Sequence, residues 1–189
     1  LIIAETLKQY LYVFEENKIS QTKNKFGSFS HINEVFQRCY LNDKNTKIYF
    51  NNLINSQNEE YSRYIFFYLN YLIENDDYEE AKNISDNLDY LNSPLLIGQG
   101  KKWIDDQKFE EFKKIFSCTN TTDITSEFFF LVSNLYSSQA NYEKANFYLN
   151  VSHYLNPKFK FNLSLLAENH YLDKNLKKTL KILESFGKN

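Results

Sequence analysis

The sequence predicts an all-α chain, a solenoid of stacked antiparallel helix pairs, and three observations carry that prediction. The first is a recurrence: Asp77-Tyr78-Glu79-Glu80-Ala81, Lys108-Phe109-Glu110-Glu111-Phe112, Asn141-Tyr142-Glu143-Lys144-Ala145 and Asn175-Leu176-Lys177-Lys178-Thr179 follow one another at a near-constant step. The step matches the period of helix-pair repeats, roughly 34 residues. A unit of that length built from two amphipathic helices cannot bury its own apolar face, so copies stack and offer a concave wall to a partner. The second is a shortage of turn formers. Gly 4 and Pro 2 in 189 residues, against average usage of roughly 7% and 5%, leave few places for the tight turns of a β-sandwich or barrel. The third is spacing: Ile65, Phe66, Tyr68, Leu69 and Leu72 recur at the threes and fours of a buried helix face.

Composition narrows the class further. With 42% hydrophobic residues, 17% aromatic and 24% charged of mixed sign, the chain can build a core and is not a disordered segment. A formal net charge of −2 gives no electrostatic footprint for nucleic acid or an anionic membrane. The abundance of Asn, Lys, Ile, Tyr and Phe beside scarce Arg reflects AT-rich codons, and a bacterial source is expected. The longest apolar stretch, residues 64–73, is about half of the ~20 residues a membrane span needs and contains Asn70. It predicts a buried helix in a soluble protein of the bacterial cytoplasm or periplasm. The start at Leu1 has no initiating Met and no signal-like pattern, so a processed or excised N-terminus is expected. Cys39 and Cys118 lie far apart in the sequence with no Cys-x-x-Cys and no neighbouring His, which predicts ordinary thiols.

In chain order, residues 1–16 read as one helix, residues 19–25 as the opening of another, and residues 26–30 as a break. Residues 30–41 and 46–56 form a degenerate pair around the turn Asn42-Asp43-Lys44-Asn45. Residues 1–58 are therefore a degenerate N-terminal repeat region, and residues 59–189 hold four units at about 60–92, 93–122, 123–157 and 158–189, all in one continuous domain. The first helices of these units (A) are expected at 60–75, 94–106, 124–139 and 159–173, and the second helices (B) at 77–91, 108–118, 141–155 and 175–186. Each A helix ends in a polar turn whose short side chains can cap the B helix. Glu79, Glu80, Glu110, Glu111 and Glu143 fall in the first turn of the B helices, where a carboxylate complements the helix dipole. Pro94 and Pro157 separate units.

On these residues the chain resembles the tetratricopeptide repeat family. Phe129, Val132, Ser133, Tyr136, Ala145, Leu149 and Pro157 occupy its positions in the third unit, and Leu96, Gly100, Trp103 and Phe116 in the second. Ile65, Leu72 and Ala81 fit in the first, and Leu163, Leu166, Ala167 and Leu183 in the fourth. Three positions depart from the pattern: Leu69 replaces a small residue, Phe112 replaces Ala, and His170 stands where Tyr is expected. The resemblance implies a ligand-facing wall made by the A helices. Carried onto this chain, that wall is Arg63, Phe66, Asn70 and Glu74; Lys101 and Asp105; Glu127, Phe130 and Asn134; and Phe161, Ser164, Glu168 and Tyr171. Rings alternating with Asn and carboxylates suit a peptide, whose backbone Asn can satisfy as donor and acceptor together. The alternative is that Phe66, Phe130 and Phe161 only fill space between neighbouring A helices. The Lys, Arg and Asn clamp that some relatives close on a C-terminal carboxylate is not matched, because Phe66, Ile97, Phe130 and Ser164 stand at its positions.

No catalytic constellation is legible. His31, His153 and His170 are not at metal-ligand spacing and no Gly-rich loop can cradle a phosphate. The expected function is a non-catalytic scaffold for a protein or peptide partner, without metal or cofactor. Two alternatives are an RNA-binding pentatricopeptide-like repeat, against which the acidic wall argues, and an accessory arm of a larger enzyme. Four glycosylation sequons, at Asn83, Asn120, Asn150 and Asn162, are expected by chance in so Asn-rich a chain. At the C-terminal edge, Leu176, Leu180, Leu183 and Phe186 are expected to pack inward, leaving Tyr171, Leu172 and Ile182 partly exposed and open to self-association.

Overall fold

The computed structural model describes residues 1–20, 26–55, 62–88 and 94–186. Among these are eleven helices and no strand: α1 (Ile2–Glu16), α2 (Ser28–Tyr40), α3 (Thr46–Ile54), α4 (Ser62–Glu74), α5 (Tyr78–Asp86), α6 (Leu95–Asp105), α7 (Phe109–Ile115), α8 (Thr121–Ser138), α9 (Tyr142–Leu155), α10 (Asn162–Leu172) and α11 (Leu176–Phe186). The chain is all-α. Helix ends read from the sequence agree to within a few residues. Residues 19 and 20 are not helical, whereas the rest of the helix expected at 19–25, the first residues of the 60–75 helix and the last of the 77–91 helix lie outside the described residues. The chain forms two compact units, Leu1–Thr121 and Thr122–Asn189.

One turn geometry recurs through the chain. Asn42, Asp76, Gln107, Ala140 and Lys174 each adopt a left-handed backbone, with φ of 48°, 58°, 56°, 56° and 60°. The amide of the following residue then reaches back to the last turn of the preceding helix: Asp43 to the Arg38 carbonyl at 2.9 Å, Asp77 to Leu72 at 2.9 Å, Lys108 to Trp103 at 2.7 Å, Asn141 to Tyr136 at 2.9 Å and Asn175 to His170 at 2.8 Å. This six-residue closure satisfies carbonyls that a helix end leaves unpaired. At four of the five turns the next helix starts at once, and at three of them the side chain just before it is its cap: Asp77, Asn141 and Asn175 accept from the amides of Glu80, Lys144 and Lys178 at 3.4, 3.4 and 3.3 Å. Lys108 at the equivalent position has no acceptor and provides no cap.

Within each pair the seam is filled from whichever side carries the larger residue. Leu69 on α4 and the small Ala81 on α5, a helix packed against α4, are both fully buried. On α6 the order reverses: a Cβ at Gly100 would lie 3.1 Å from the Phe66 ring and 3.5 Å from that of Phe112. Phe112 occupies the volume that Gly100 vacates, stacking on Phe66 at 5.3 Å and meeting Trp103 edge-on at 5.3 Å. In the second unit the seam is small on both sides and polar. Ser133 donates to the Ala145 carbonyl at 2.8 Å, and Thr179 to the Ala167 carbonyl at 3.4 Å. The departure at Phe112 is thus a compensating choice of volume. On α11 the structure reverses the expected setting: Thr179 is buried and Ile182 and Phe186 pack against the cluster of Phe130, Leu149, Leu163 and Leu166, whereas Leu176, Leu180 and Leu183 are exposed, as are Tyr171 and Leu172 at the end of α10. The side chains of Asn175 and Thr179, bonded to the Lys178 amide and the Ala167 carbonyl, set that rotation.

Helix α4 is the hub of the first unit, packed by α3, α5, α6 and α7. From Tyr64 to Ile73 every residue except Ile65 is buried, so its apolar surface runs nearly all round and not along one face. A charged cluster fastens the preceding pair to it. Lys47 of α3 bonds the carboxylates of Asp77 and Glu80, Glu80 accepts from the Tyr68 hydroxyl at 2.7 Å, and Asn51 donates to that hydroxyl at 3.1 Å. Burial and the Glu80 carboxylate hold the Tyr68 hydroxyl well above its ordinary range.

The cysteines overturn the expectation of ordinary thiols. Cys39 of α2 and Cys118, in the turn after α7, form a disulfide with Cα atoms 5.5 Å apart. Their distance in sequence hid this, because α7 is a single short helix and Phe116 after it is extended, swinging the chain back across α4. Phe116 packs there on Phe67 at 4.6 Å and Phe36 at 6.0 Å, which delivers Cys118 to α2.

Two outcomes test this architecture. Ala140→Gly should raise stability by about 0.5–1 kcal/mol, since relief of a left-handed alanine exceeds the entropy that glycine adds to the unfolded chain; a denaturant midpoint that falls would contradict the turn. Reduction, or Cys39→Ser with Cys118→Ser, opens a long loop and should cost about 2–5 kcal/mol, read as a lower melting temperature than that of the oxidised chain.

Candidate partner-binding surface

The first unit closes most of the wall that the sequence assigns to it. Phe66 and Asn70 are fully buried. The segment that returns across α4 covers Asn70, whose amide donates to the Phe116 carbonyl at 3.0 Å, while Gly100, Trp103 and Phe112 of α6 and α7 cover Phe66. Asn70 is therefore a fastening for that segment and not a peptide contact. Arg63 lies half-buried with its guanidinium 5.5 Å from the Phe67 ring centre. Lys101 donates to the Ser85 carbonyl at 2.8 Å, satisfying an acceptor in the last turn of α5, and stands 4.0 Å from Asp105. Of this group only Asp105 is exposed, and Glu74 is half-buried.

Glu74 instead lines a cavity of about 510 Å³ beside the disulfide, with Asn42, Tyr71, Lys113, Ser117 and Thr119. Lys113 holds its proton above the ordinary lysine range because Glu110 bonds it. Sequence reading missed this cavity, since its walls come from α2, α4, α7 and the turns that follow them. Both of its sulfurs are joined in the disulfide, and the Ser117 and Thr119 hydroxyls lie 2.9 Å apart, hydrogen-bonded to one another. Among the described residues no group of three or more His, Cys, Asp or Glu is arranged to hold a metal ion. Among them, too, no helix is long and apolar enough to cross a membrane.

The second unit opens the wall that the first closes. Glu127 and Phe130 of α8 are buried, and Phe130 joins Leu149, Leu163 and Leu166 in the core of this unit. The space-filling alternative holds for Phe66 and Phe130. Phe161 is half-buried against Phe159, with ring centres 5.6 Å apart. Asn134 of α8 and Ser164, Glu168 and Tyr171 of α10 are exposed. Asn134 and Glu168 are one repeat period apart and so occupy equivalent places on successive A helices. The result is a surface with a neutral donor-acceptor, a carboxylate and an exposed ring, able to take hydrogen bonds from a peptide and cover one of its apolar side chains. The buried polar residues beside it are locked. Asn169 donates to Asn146 at 3.0 Å, Asn162 to Ser152 at 2.9 Å, and Ser126 to the Ser152 carbonyl at 2.8 Å, so α8, α9 and α10 hold the surface rigidly.

Two histidines of this unit make its stability pH-dependent. The Nδ1 atoms of His153 and His170 are buried without a hydrogen-bond partner. Burial, with Lys160 near His153 and Lys178 near His170, lowers both below the ordinary histidine value. The unfolded chain therefore takes up protons first as pH falls. Stability is fully present above about pH 6.5 and declines as pH drops through that value toward the folded values. A melting temperature lower at pH 5 than at pH 7.5 is expected, with the difference reduced in His153→Gln/His170→Gln.

No family model, no curated protein and no solved structure matches the chain.

Proposed function

We propose that this chain is a non-catalytic protein-interaction scaffold of the tetratricopeptide kind, its helix pairs stacked as an α-solenoid, with a peptide segment of a partner bound on the A-helix face of the second unit. The observation that carries the reading is the repetition of one turn at Asn42, Asp76, Gln107, Ala140 and Lys174, which supports a single helix-pair unit used five times. Repeated units that hold equivalent side chains at equal intervals suit an extended ligand more than a small molecule. Asn134, Ser164, Glu168 and Tyr171 are the residues we assign to contact. RNA is a poor occupant, because this face has a carboxylate and no arginine. The disulfide favours an oxidising compartment, and of the two compartments expected for a bacterial protein it supports the periplasm.

The test is affinity capture of a partner with the disulfide intact, followed by titration of the captured protein. Asn134→Ala and Glu168→Ala should each weaken binding by about 0.5–1.5 kcal/mol, the usual contribution of a hydrogen bond, with helicity unchanged. Affinity that ignores both changes but falls in Phe147→Ala, which removes an exposed ring on α9, would move the site to the opposite helix layer.

A further inference from the structure

Three helices end at the cavity beside the disulfide. Asn42 follows α2, Glu74 and Asn75 stand at the end of α4, and Ser117 and Thr119 follow α7. The buried Cys39, Cys118 and Tyr71 complete its wall. The disulfide ties α2 to the turn after α7, so a ligand meets that part of the lining already in place.

The lining divides by chemistry. The ends of α2 and α4 offer acceptors: Glu74 contributes a carboxylate, and the Asn75 carboxamide, whose Nδ2 donates to the Tyr71 carbonyl at 2.8 Å, has its oxygen to present. The last carbonyls of both helices add the negative end of a helix dipole, which favours a cation. Helix α7 offers a donor, the Lys113 ammonium, which has three N–H groups and pairs with Glu110 at 3.3 Å. Glu110 and Asp76 stand near Lys113 but outside the lining, and Asp76 accepts from the Tyr78 hydroxyl at 2.6 Å. The lining thus holds one carboxylate and one ammonium. An ion of a single sign is attracted by one and repelled by the other, whereas a molecule with both charges gains from both. Asn42 adds a donor and an acceptor that suit an amide bond. A volume of about 510 Å³ is more than a single amino acid fills, and an inorganic ion would leave most of it empty.

We propose that this cavity binds a short zwitterionic peptide, a di- or tripeptide with free termini, its ammonium group held by Glu74 and the ends of α2 and α4 and its carboxylate by Lys113. The site belongs to the first unit and is independent of the A-helix face of the second, which takes a segment of a longer chain and needs no free terminus.

The probe is trialanine, titrated by calorimetry into the oxidised 189-residue chain beside its N-acetylated and C-amidated forms. Trialanine should saturate and bind at least about tenfold tighter than either blocked form. Glu74→Gln should weaken trialanine about tenfold and leave the N-acetylated form unchanged, and Lys113→Gln should weaken trialanine about tenfold and leave the C-amidated form unchanged, because each variant removes the partner of a charge that the blocked probe lacks. Neither side chain is buried, so helicity should be unchanged. Glu168→Ala, on the A-helix face of the second unit, should have no effect, which separates the two sites. No saturation, equal affinity for all three forms, binding that ignores both Glu74→Gln and Lys113→Gln, or binding lost in Glu168→Ala would each overturn the proposal. Tighter binding of the C-amidated form than of trialanine would overturn it as well, by marking a site for a cation alone.

Discussion

A left-handed residue after each A helix sets the geometry on which the rest depends. The amide that follows it bonds back into the last turn of the helix, so the helix stops and the chain reverses at once. Two helices joined this way lie side by side whatever their surfaces, and only then can their apolar stripes meet. The chain uses Asn, Asp, Gln, Ala and Lys at these positions and glycine at none of them. Asn and Asp tolerate that backbone, while Ala and Lys do so at a cost that the adjoining helix contacts offset. Where the next residue is Asp or Asn, the turn also caps the second helix and ends one element while starting another.

Given that geometry, packing is a matter of volume at the seam. Beside Gly100 the large Phe112 ring fills the space that a side chain on α6 would take. The first unit then adds what a bare row of helix pairs lacks, a segment folded back over its central helix. Phe116 fills the aromatic cluster, Asn70 holds the returning backbone, and the disulfide ties its end to α2. That closure leaves α4 without an open face, which explains why two units with related turns present such different surfaces.

In the second unit the polar residues divide by depth. Those with a partner across the helices, Asn162, Asn169, Ser126 and Ser133, are buried and rigid, while Asn134, Glu168 and Tyr171 face outward. A rigid layer beneath exposed groups lowers the entropy lost when a peptide binds. The buried imidazoles of His153 and His170 lie within the same framework, so it is strongest when both are neutral.

The near-regular recurrence of the polar turn and its acidic start, the shortage of glycine and proline and the three-and-four spacing of apolar residues were enough to specify an all-helical chain and, from α3 onward, the order of its helices and the turns between them, while α2 begins at Ser28, inside the break expected at 26–30. These are local properties, set by backbone conformation and by which side chains lie a few positions apart. Which polar residues of the A helices face solvent was not legible, because Asn70 and Asn134 have the same local setting and differ only in what crosses over them. The disulfide was hidden for the same reason: two cysteines with a sequence separation of 79 are brought together by the return of the chain after α7. The rotation of α11 turned on the bonds of Asn175 and Thr179, which a count of leucines does not weigh. Tertiary structure alone decided these points, since burial depends on distant segments that no local pattern encodes.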